Sequence, residues 1–291
     1  MTVYCLGSIN IDHVYRLTEL PLAGETLSAR DYRPGLGGKG INQSIAAKRA
    51  GATVVHIGAV GEDDLWITEA LSRHGIGMGC ITTVPVPTGH AIVAVDDRGE
   101  NQIIIYSGAN LAQDPALIAA ALAQGQAGDI LLLQNETSHQ VEAATLARKR
   151  GMKVFYSAAP FALEPLLAVL PQVTHLLVNA GEGKALVEAT GTALDALPVE
   201  AVVVTHGASG AEWIVPGRTP SDFQPAFSVT PVDTTGAGDC FAGSLAAALD
   251  RGETTRDALR YAAAAAALQV TRPGAAPAMP ERAEVEALLA R

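Results

Sequence analysis

Residues Val232–Gly252 read VDTTGAGDCFAGSLAAALDRG, and the rest of the chain is parsed outward from them. An extended polar segment, Val232–Thr235, runs into the turn Gly236-Ala237-Gly238. A helical stretch follows and ends before Gly252. The first N–H groups of a helix have no intrahelical acceptor. Aligned with the helix dipole, they make a ready site for an anion. Asp239 falls inside the first helical turn. Alone, it reads as an acid favoured at a helix N-terminus. Beside a bare-backbone anion site it has a second reading, as a base. It would take a proton from a hydroxyl while the N–H groups stabilise a transferring phosphoryl group.

Upstream of this junction, short apolar runs alternate with helical patterns. ATVVHIGAV reads as a strand and DDLWITEALSRHG as a helix stopping at Gly75. DILLLQ is apolar throughout, as in a strand covered on both faces. SHQVEAATLARKRG predicts a helix with Ser138 as N-cap and Gly151 just past its end. Strands KVFYS, VTHLLV and AVVVTHG alternate with helices ALEPLLAVL and GEGKALVEATG. This β–α–β–α order predicts a parallel sheet with helices on both faces. HVYRLTEL and ETLSARDYR break the rhythm, since both look like strands with no helix between. GHAIVAVDDRGENQIIIYSG looks like a hairpin turning at DDRGE. These segments predict a small β-structure projecting from the main domain.

Bulk properties narrow the function. The 291 residues carry a net charge of −10, with 48% hydrophobic and 17% charged residues. A general electrostatic footprint for nucleic acid or an anionic membrane is not expected. Cys5, Cys80 and Cys240 are too few and too widely spaced for a disulfide framework or a cysteine zinc site. Neither a basic leader followed by an apolar run nor a membrane-length apolar stretch is read, so the expected compartment is the cytoplasm.

A second glycine loop, PGLGGKGIN at Pro34–Asn42, matches two motifs that disagree. Gly35, Gly37 and Gly40 spell the G-x-G-x-x-G of a nicotinamide-dependent oxidoreductase. The strand after it, TVVHIGAV, carries His56 where that reading needs an acid. Gly38-Lys39 looks like the end of a P-loop, yet Gly40 follows in place of Ser or Thr. The remaining reading is a turn whose glycines admit a ligand close to the backbone.

DTTGAGDCFAGSL resembles the C-terminal motif of the ribokinase family of carbohydrate kinases, the phosphofructokinase-B-like group, and GGKGINQSIAAKRAGA resembles its N-terminal motif. GSINIDHVYRL, DDRGENQIIIYSGAN, LLLQNET and VNAGEGKAL are similar to further family segments in the same order. The resemblance covers nearly the whole chain. It implies a single α/β domain over residues 1–291: a doubly wound, mostly parallel sheet with helices on both faces, plus a small β-sheet lid. The lid strands would be inserted at about 12–34 and 88–108.

The same resemblance implies an ATP-dependent kinase that phosphorylates a primary hydroxyl of a sugar, with ribose expected. Asp239 would be the base, and Gly236, Ala237 and Gly238 the anion hole. Asn10, Asp12, Gly38, Lys39, Asn42 and Glu136 would hold the sugar together with Asp239. From the residues alone, Asn10 and Asp12 also read as turn residues, Lys39 as a surface lysine and Glu136 as a neighbour of a helix cap. Asn179, Thr205, Gly207 and Gly238 would bind the nucleotide. Asn179 and Glu182 would hold Mg2+ through water. Asp233, Thr235 and carbonyls near Gly274 would hold a monovalent cation, K+. A homodimer through the lid is expected. Another sugar, a ketodeoxy sugar acid or a nucleoside stays open as acceptor, and a non-catalytic sugar sensor as a role. Three departures from the family pattern stand out: Ser157 where Asn is usual, Ala278 where a hydroxyl is usual, and Ala262–Ala267 without a polar side chain for the adenine edge.

Overall fold

The computed structural model describes residues Met1–Arg291, the side chain of Leu65 excepted. In chain order, β1 (Thr2–Leu6), β2 (Asn10–Arg16) and β3 (Asp31–Gly37) precede α1 (Lys39–Arg49), β4 (Thr53–Gly61) and α2 (Leu65–Arg73). Then come β5 (Ile81–Val84), β6 (Gly89–Val95), β7 (Asn101–Tyr106), α3 (Pro115–Leu122) and β8 (Ile130–Gln134). α4 (Gln140–Lys149), β9 (Lys153–Ser157), α5 (Leu163–Val169), β10 (His175–Asn179) and α6 (Ala180–Thr190) continue the alternation. β11 (Ala201–Thr205), β12 (Gly210–Ile214) and β13 (Asp222–Pro225) lead into α7 (Ala237–Asp250), α8 (Thr255–Gln269) and α9 (Arg282–Leu289).

The apolar strands are covered on both faces because alternate residues enter different cores. Val3, Cys5, Ile130 and Leu132 pack with Ile41, Ile67, Leu245, Leu259 and Val285 from α1, α2, α7, α8 and α9. Tyr4, Leu6, Leu131 and Leu133 pack with Ile118, Ala143, Leu166 and Leu186 from α3 to α6. Burying one such Leu or Ile side chain contributes about 1.5–3 kcal/mol. The exposed ion pairs, such as Arg30–Asp97, add at most about 1 kcal/mol each. The two apolar cores therefore dominate the stability.

The main sheet has nine strands in the order β13-β12-β11-β10-β9-β8-β1-β4-β5. β12 and β13 are antiparallel to their neighbours, and the rest pair in parallel. The winding reverses between β1 and β8, and a ligand crevice opens at the carboxyl ends of strands at such a switch point. The doubly wound expectation is met.

The lid is a separate four-stranded sheet, β3-β2-β6-β7, with β2 and β6 parallel. Asp96 closes the expected hairpin by accepting from the N–H groups of Arg98, 2.9 Å, and Glu100, 3.0 Å. Two local expectations need correction. Of ETLSARDYR only Asp31 onward is strand, and that strand runs on through Pro34 to Gly37. Pro34 is tolerated because β3 is an edge strand, paired to β2 alone. Ser138 does not cap α4. His139, left-handed at φ 60°, holds the N-cap position and turns the chain between Ser138 and the helix.

Candidate functional site

Three chain segments meet over the main sheet, from the end of β1 to the ends of β10 and β11. The first is the turn from β3 into α1. Gly38 has φ 102°, and a Cβ there would come within 2.8 Å of the Ser8 carbonyl oxygen. Only glycine lets this turn lie against the end of β1. The N–H of Lys39 then donates to Glu136 Oε2 at 3.2 Å, and the N–H of Gly40 to Ser8 Oγ at 3.2 Å. The Ser8 hydroxyl donates to the same Glu136 oxygen. Both bonds use Oε2, and Glu136 Oε1 has no hydrogen-bond partner among the described residues. Asn10 Oδ1 accepts from Asn110 Nδ2 at 2.7 Å, and Asn110 Oδ1 accepts from the Ile9 N–H at 2.9 Å. Asp12 lies near Glu136 and Lys39. Burial first, then the Glu136 charge, push its carboxyl up to about 6, against the pull of Lys39.

The second segment is the N-terminus of α7. Asp239 is buried, with Oδ2 accepting from Asn42 Nδ2 at 3.2 Å and Oδ1 from Gln43 Nε2 at 3.1 Å. α1 and α7 approach this closely because Gly243 faces α1. A Cβ there would overlap the Gln43 carbonyl oxygen and lie 2.8 Å from the Ala46 methyl. Gln43 is held in turn by Gln134 Nε2, which donates to its Oε1 at 2.8 Å. Burial pushes Asp239 up to about 6, with Glu136 adding to the rise, while Lys39 and the Gln43 and Asn42 amides oppose it. Cys240, the next residue, is raised by burial to about 12 and serves as packing.

In the turn itself, Gly236 is left-handed, φ 80°. The Ala237 N–H donates back to Thr234 O at 3.2 Å. That bond engages the Ala237 N–H within the turn. Among the described residues the N–H groups of Gly236, Gly238 and Asp239 have no acceptor, so the available donors are these three.

The third segment is the ends of β10 and β11, where Asn179 and Thr205 are register partners. A cavity lined by Lys39, Glu182, Thr205 and Gly236–Asp239 opens beside them. A second cavity of ≈ 620 Å³ adjoins it, sharing Asn179, Thr205, Ala237, Gly238 and Phe241. Its volume falls within the roughly 300–1,000 Å³ of small-molecule sites. Its far end is apolar, with Phe227, Val229, Ala263, Ala266, Ala267 and Val270, and Gly207 lies on its wall. Of the expected residues, Lys39, Asn179, Glu182, Thr205 and Gly236–Asp239 line the first cavity, and Asn179, Thr205, Gly207, Ala237 and Gly238 the second. Asn10, Asp12, Gly38, Asn42 and Glu136 line neither; Asn42 joins the site through its bond to Asp239 and Glu136 through the Lys39 N–H.

Asn179 and Glu182 form a capping box on α6. The Asn179 N–H donates to Glu182 Oε2 at 2.8 Å, and the Glu182 N–H to Asn179 Oδ1 at 2.9 Å. Burial raises the Glu182 carboxyl above its usual range, against the Asn179 N–H and Lys39. One carboxylate oxygen lies outside the box, and Glu182 lines the first cavity, which suits a Mg2+ that keeps its waters. Asp233 Oδ1 accepts from the Thr235 N–H and Oδ2 from the Gly274 N–H, both at 2.9 Å. Partial burial opposes its ionisation, yet these donors hold it below the usual range. The carbonyls of Thr235 and Gly274 already have a protein partner: Gln269 Nε2 donates to them at 2.8 and 3.1 Å.

Ser8, Gln43, Asn110, Gln134 and Gln269 carry much of this geometry and do not stand out in the sequence. Each acts through a partner far along the chain, 128 residues for Ser8 and 196 for Gln43. The one local signal is that Gln43 follows Asn42 at the start of a helix.

The profile of the pfkB family carbohydrate kinases matches residues 2–282. The chain is 36% identical to the ribokinase of Haemophilus influenzae, over 97% of this chain and 96% of that one. Among solved structures it is similar to a ribokinase from Thermotoga maritima, with a TM-score of 0.89, 32% identity and full coverage of both chains (100% and 100%). It is similar also to Arabidopsis thaliana ribokinase complexed with ribose and ATP, TM-score 0.86, 29% identity, covering 99% and 98% of the two chains.

Proposed function

Because the chain belongs to the pfkB family of carbohydrate kinases, we propose that it transfers the γ-phosphoryl group of ATP to a primary hydroxyl of ribose, giving ribose 5-phosphate. One observation carries the reading: Asp239 is buried between two amides of α1 and three free N–H groups at the start of α7. The acceptor loop supplies polar groups with unused valence. Asn42 Oδ1 is buried without a partner, and it suits a ligand hydroxyl. Asp12 lies beside Glu136 and Lys39. A site built to bond several hydroxyls rejects analogues that leave its polar groups unpaired.

Asp239 in its ionised form accepts the proton of the attacking hydroxyl as the new O–P bond forms and the bond to ADP breaks. General-base assistance of this kind contributes about 10²–10⁴ in rate. The N–H groups of Gly236, Gly238 and Asp239 stabilise the charge on the transferring group. Lys39, the acceptor-loop residue that lines the first cavity, adds a positive charge there. Glu182 and Asn179 would hold Mg2+ through water, and the ion would neutralise phosphate charge when bound. The apolar far cavity takes the base by burial, with Thr205 and Gly207 at its edge. The lid, which carries Asn10 and Asp12 on β2, excludes water as a competing acceptor. A second copy of the chain covers the lid's exposed apolar strand. The three free cysteines suit the reducing cytoplasm.

The test is a coupled assay with ATP and Mg2+ over a panel of pentoses, hexoses, ketodeoxy sugar acids and nucleosides. Ribose is expected to be the fastest acceptor. The Asp239→Asn variant should lose about 10²–10⁴ in kcat while still binding ribose by calorimetry. A nucleoside preferred over every sugar would reject ribose, and no turnover of any acceptor would reject the kinase.

A further inference from the structure

Behind the anion-hole loop, a buried amide occupies ground that the family resemblance assigns to a cation. Gln269 ends α8, and its side chain is fully buried. Nε2 bridges two carbonyls that converge from separate segments, Thr235 O on the anion-hole loop and Gly274 O on the loop after α8. Other bonds stitch the same two segments together. The N–H groups of Val232 and Asp233 share the Val270 carbonyl at 2.7 and 3.1 Å, and the Asp233 carboxylate accepts from Gly274. Convergent carbonyl dipoles repel one another unless a positive group lies between them. A monovalent cation does this by charge. An amide NH2 does it with two tethered donors.

The amide's orientation follows from the same geometry. Turning it over would aim Oε1 at two carbonyl oxygens. As placed, Oε1 is buried without a partner, and the fold retains that unsatisfied acceptor to keep the two donations. Ala278, where the resemblance expects a hydroxyl, offers no side-chain oxygen to an ion. The residues present therefore do not fit a monovalent cation.

We propose that the Gln269 amide is a positioning residue that takes the cation's place, so that this protein holds its anion-hole loop without K+. The inference rests on the kinase reading for its catalytic consequence and on the hydrogen bonds alone for its structural one. Two readouts keep these apart. The first is the thermal midpoint of the full chain in K+ and in tetramethylammonium at equal ionic strength. The wild type should melt alike in both. Gln269→Ala, which vacates the space, and Gln269→Glu, which replaces donors by a carboxylate, should melt higher in K+. The second is ribose phosphorylation in the same salts. Wild-type turnover should be indifferent to K+. Gln269→Ala should fall about 10²-fold in tetramethylammonium, the scale of a misplaced loop, and recover in K+. A wild type whose midpoint or turnover rises with K+ overturns the proposal, and so does a pair of variants indifferent to K+. Absence of turnover in every salt would sink the kinase reading and leave the melting comparison to decide this one.

Discussion

Asp239 is desolvated, and the amides that favour its charged form come from α1, at Asn42 and Gln43. Its carboxyl and that of Asp12 both lie near 6. On the proposed mechanism Asp239 works ionised, so kcat/KM should rise with pH through about 6 and level off above it. Replacing Gln43 by Met keeps the length and removes a donor that favours the anion. The acid limb of the pH profile should then move to higher pH. Asp12 has no bond to Gln43, so an unmoved limb would assign the titration to Asp12. Stability runs the other way. A carboxyl raised in the folded state binds its proton more tightly there than in the unfolded chain. Its contribution is full below the ordinary value of about 4 and is lost as pH climbs through about 6. The site is thus active where its two acids oppose folding. Asn42 and Asp239 were legible in the sequence through their motifs. Gln43, one residue on, was not, because its meaning lies in a partner across the site.

At the scale of elements, Asp239, the proposed base, is positioned by helix packing. α1 and α7 lie close enough for Gln43 to reach Asp239 only while position 243 lacks a Cβ. Gly243→Ala should therefore destabilise the protein by about 1–3 kcal/mol, as overpacking does. It should also lower kcat more than it raises KM for the sugar, since it moves the base away from α1 and leaves the acceptor loop in place. Denaturant unfolding and steady-state kinetics together check this, and an unchanged kcat would mean that the helix spacing does not aim the base. The alternation of strands and helices was plain from apolar runs and glycine stops. The ends were less so. Ser138 has a capping side chain, but the left-handed His139 sets where α4 starts. The strand through Pro34 is allowed by its place at a sheet edge, and a sequence does not announce which strand is the edge.

For the whole molecule, the lid presents an uncovered apolar strand. Every residue of β7 is exposed, and Ile103, Ile104 and Ile105 are 53%, 67% and 54% accessible. An exposed apolar patch of this kind marks an interface. Sedimentation should show a species of two chains, and Ile103→Lys with Ile105→Lys should reduce it to one. A wild type that sediments as a single chain would refute the lid contact. That the lid exists was readable from strand pairs without helices. Its parallel β2·β6 pairing was not, because it joins two insertions whose registers are set only by the folded sheet.

The bond from Asn42 to Asp239 spans 197 residues. Contacts of such separation are slow to form, because the loop they close must be ordered before they return anything. A chain emerging from the ribosome presents the acceptor loop early and lacks Asp239, the proposed base, until α7 is made. Until then it has no group to activate a hydroxyl or a stray water against ATP. On the proposed mechanism, chemistry waits for the last third of the chain, and a chain truncated before α7 is silent rather than wasteful.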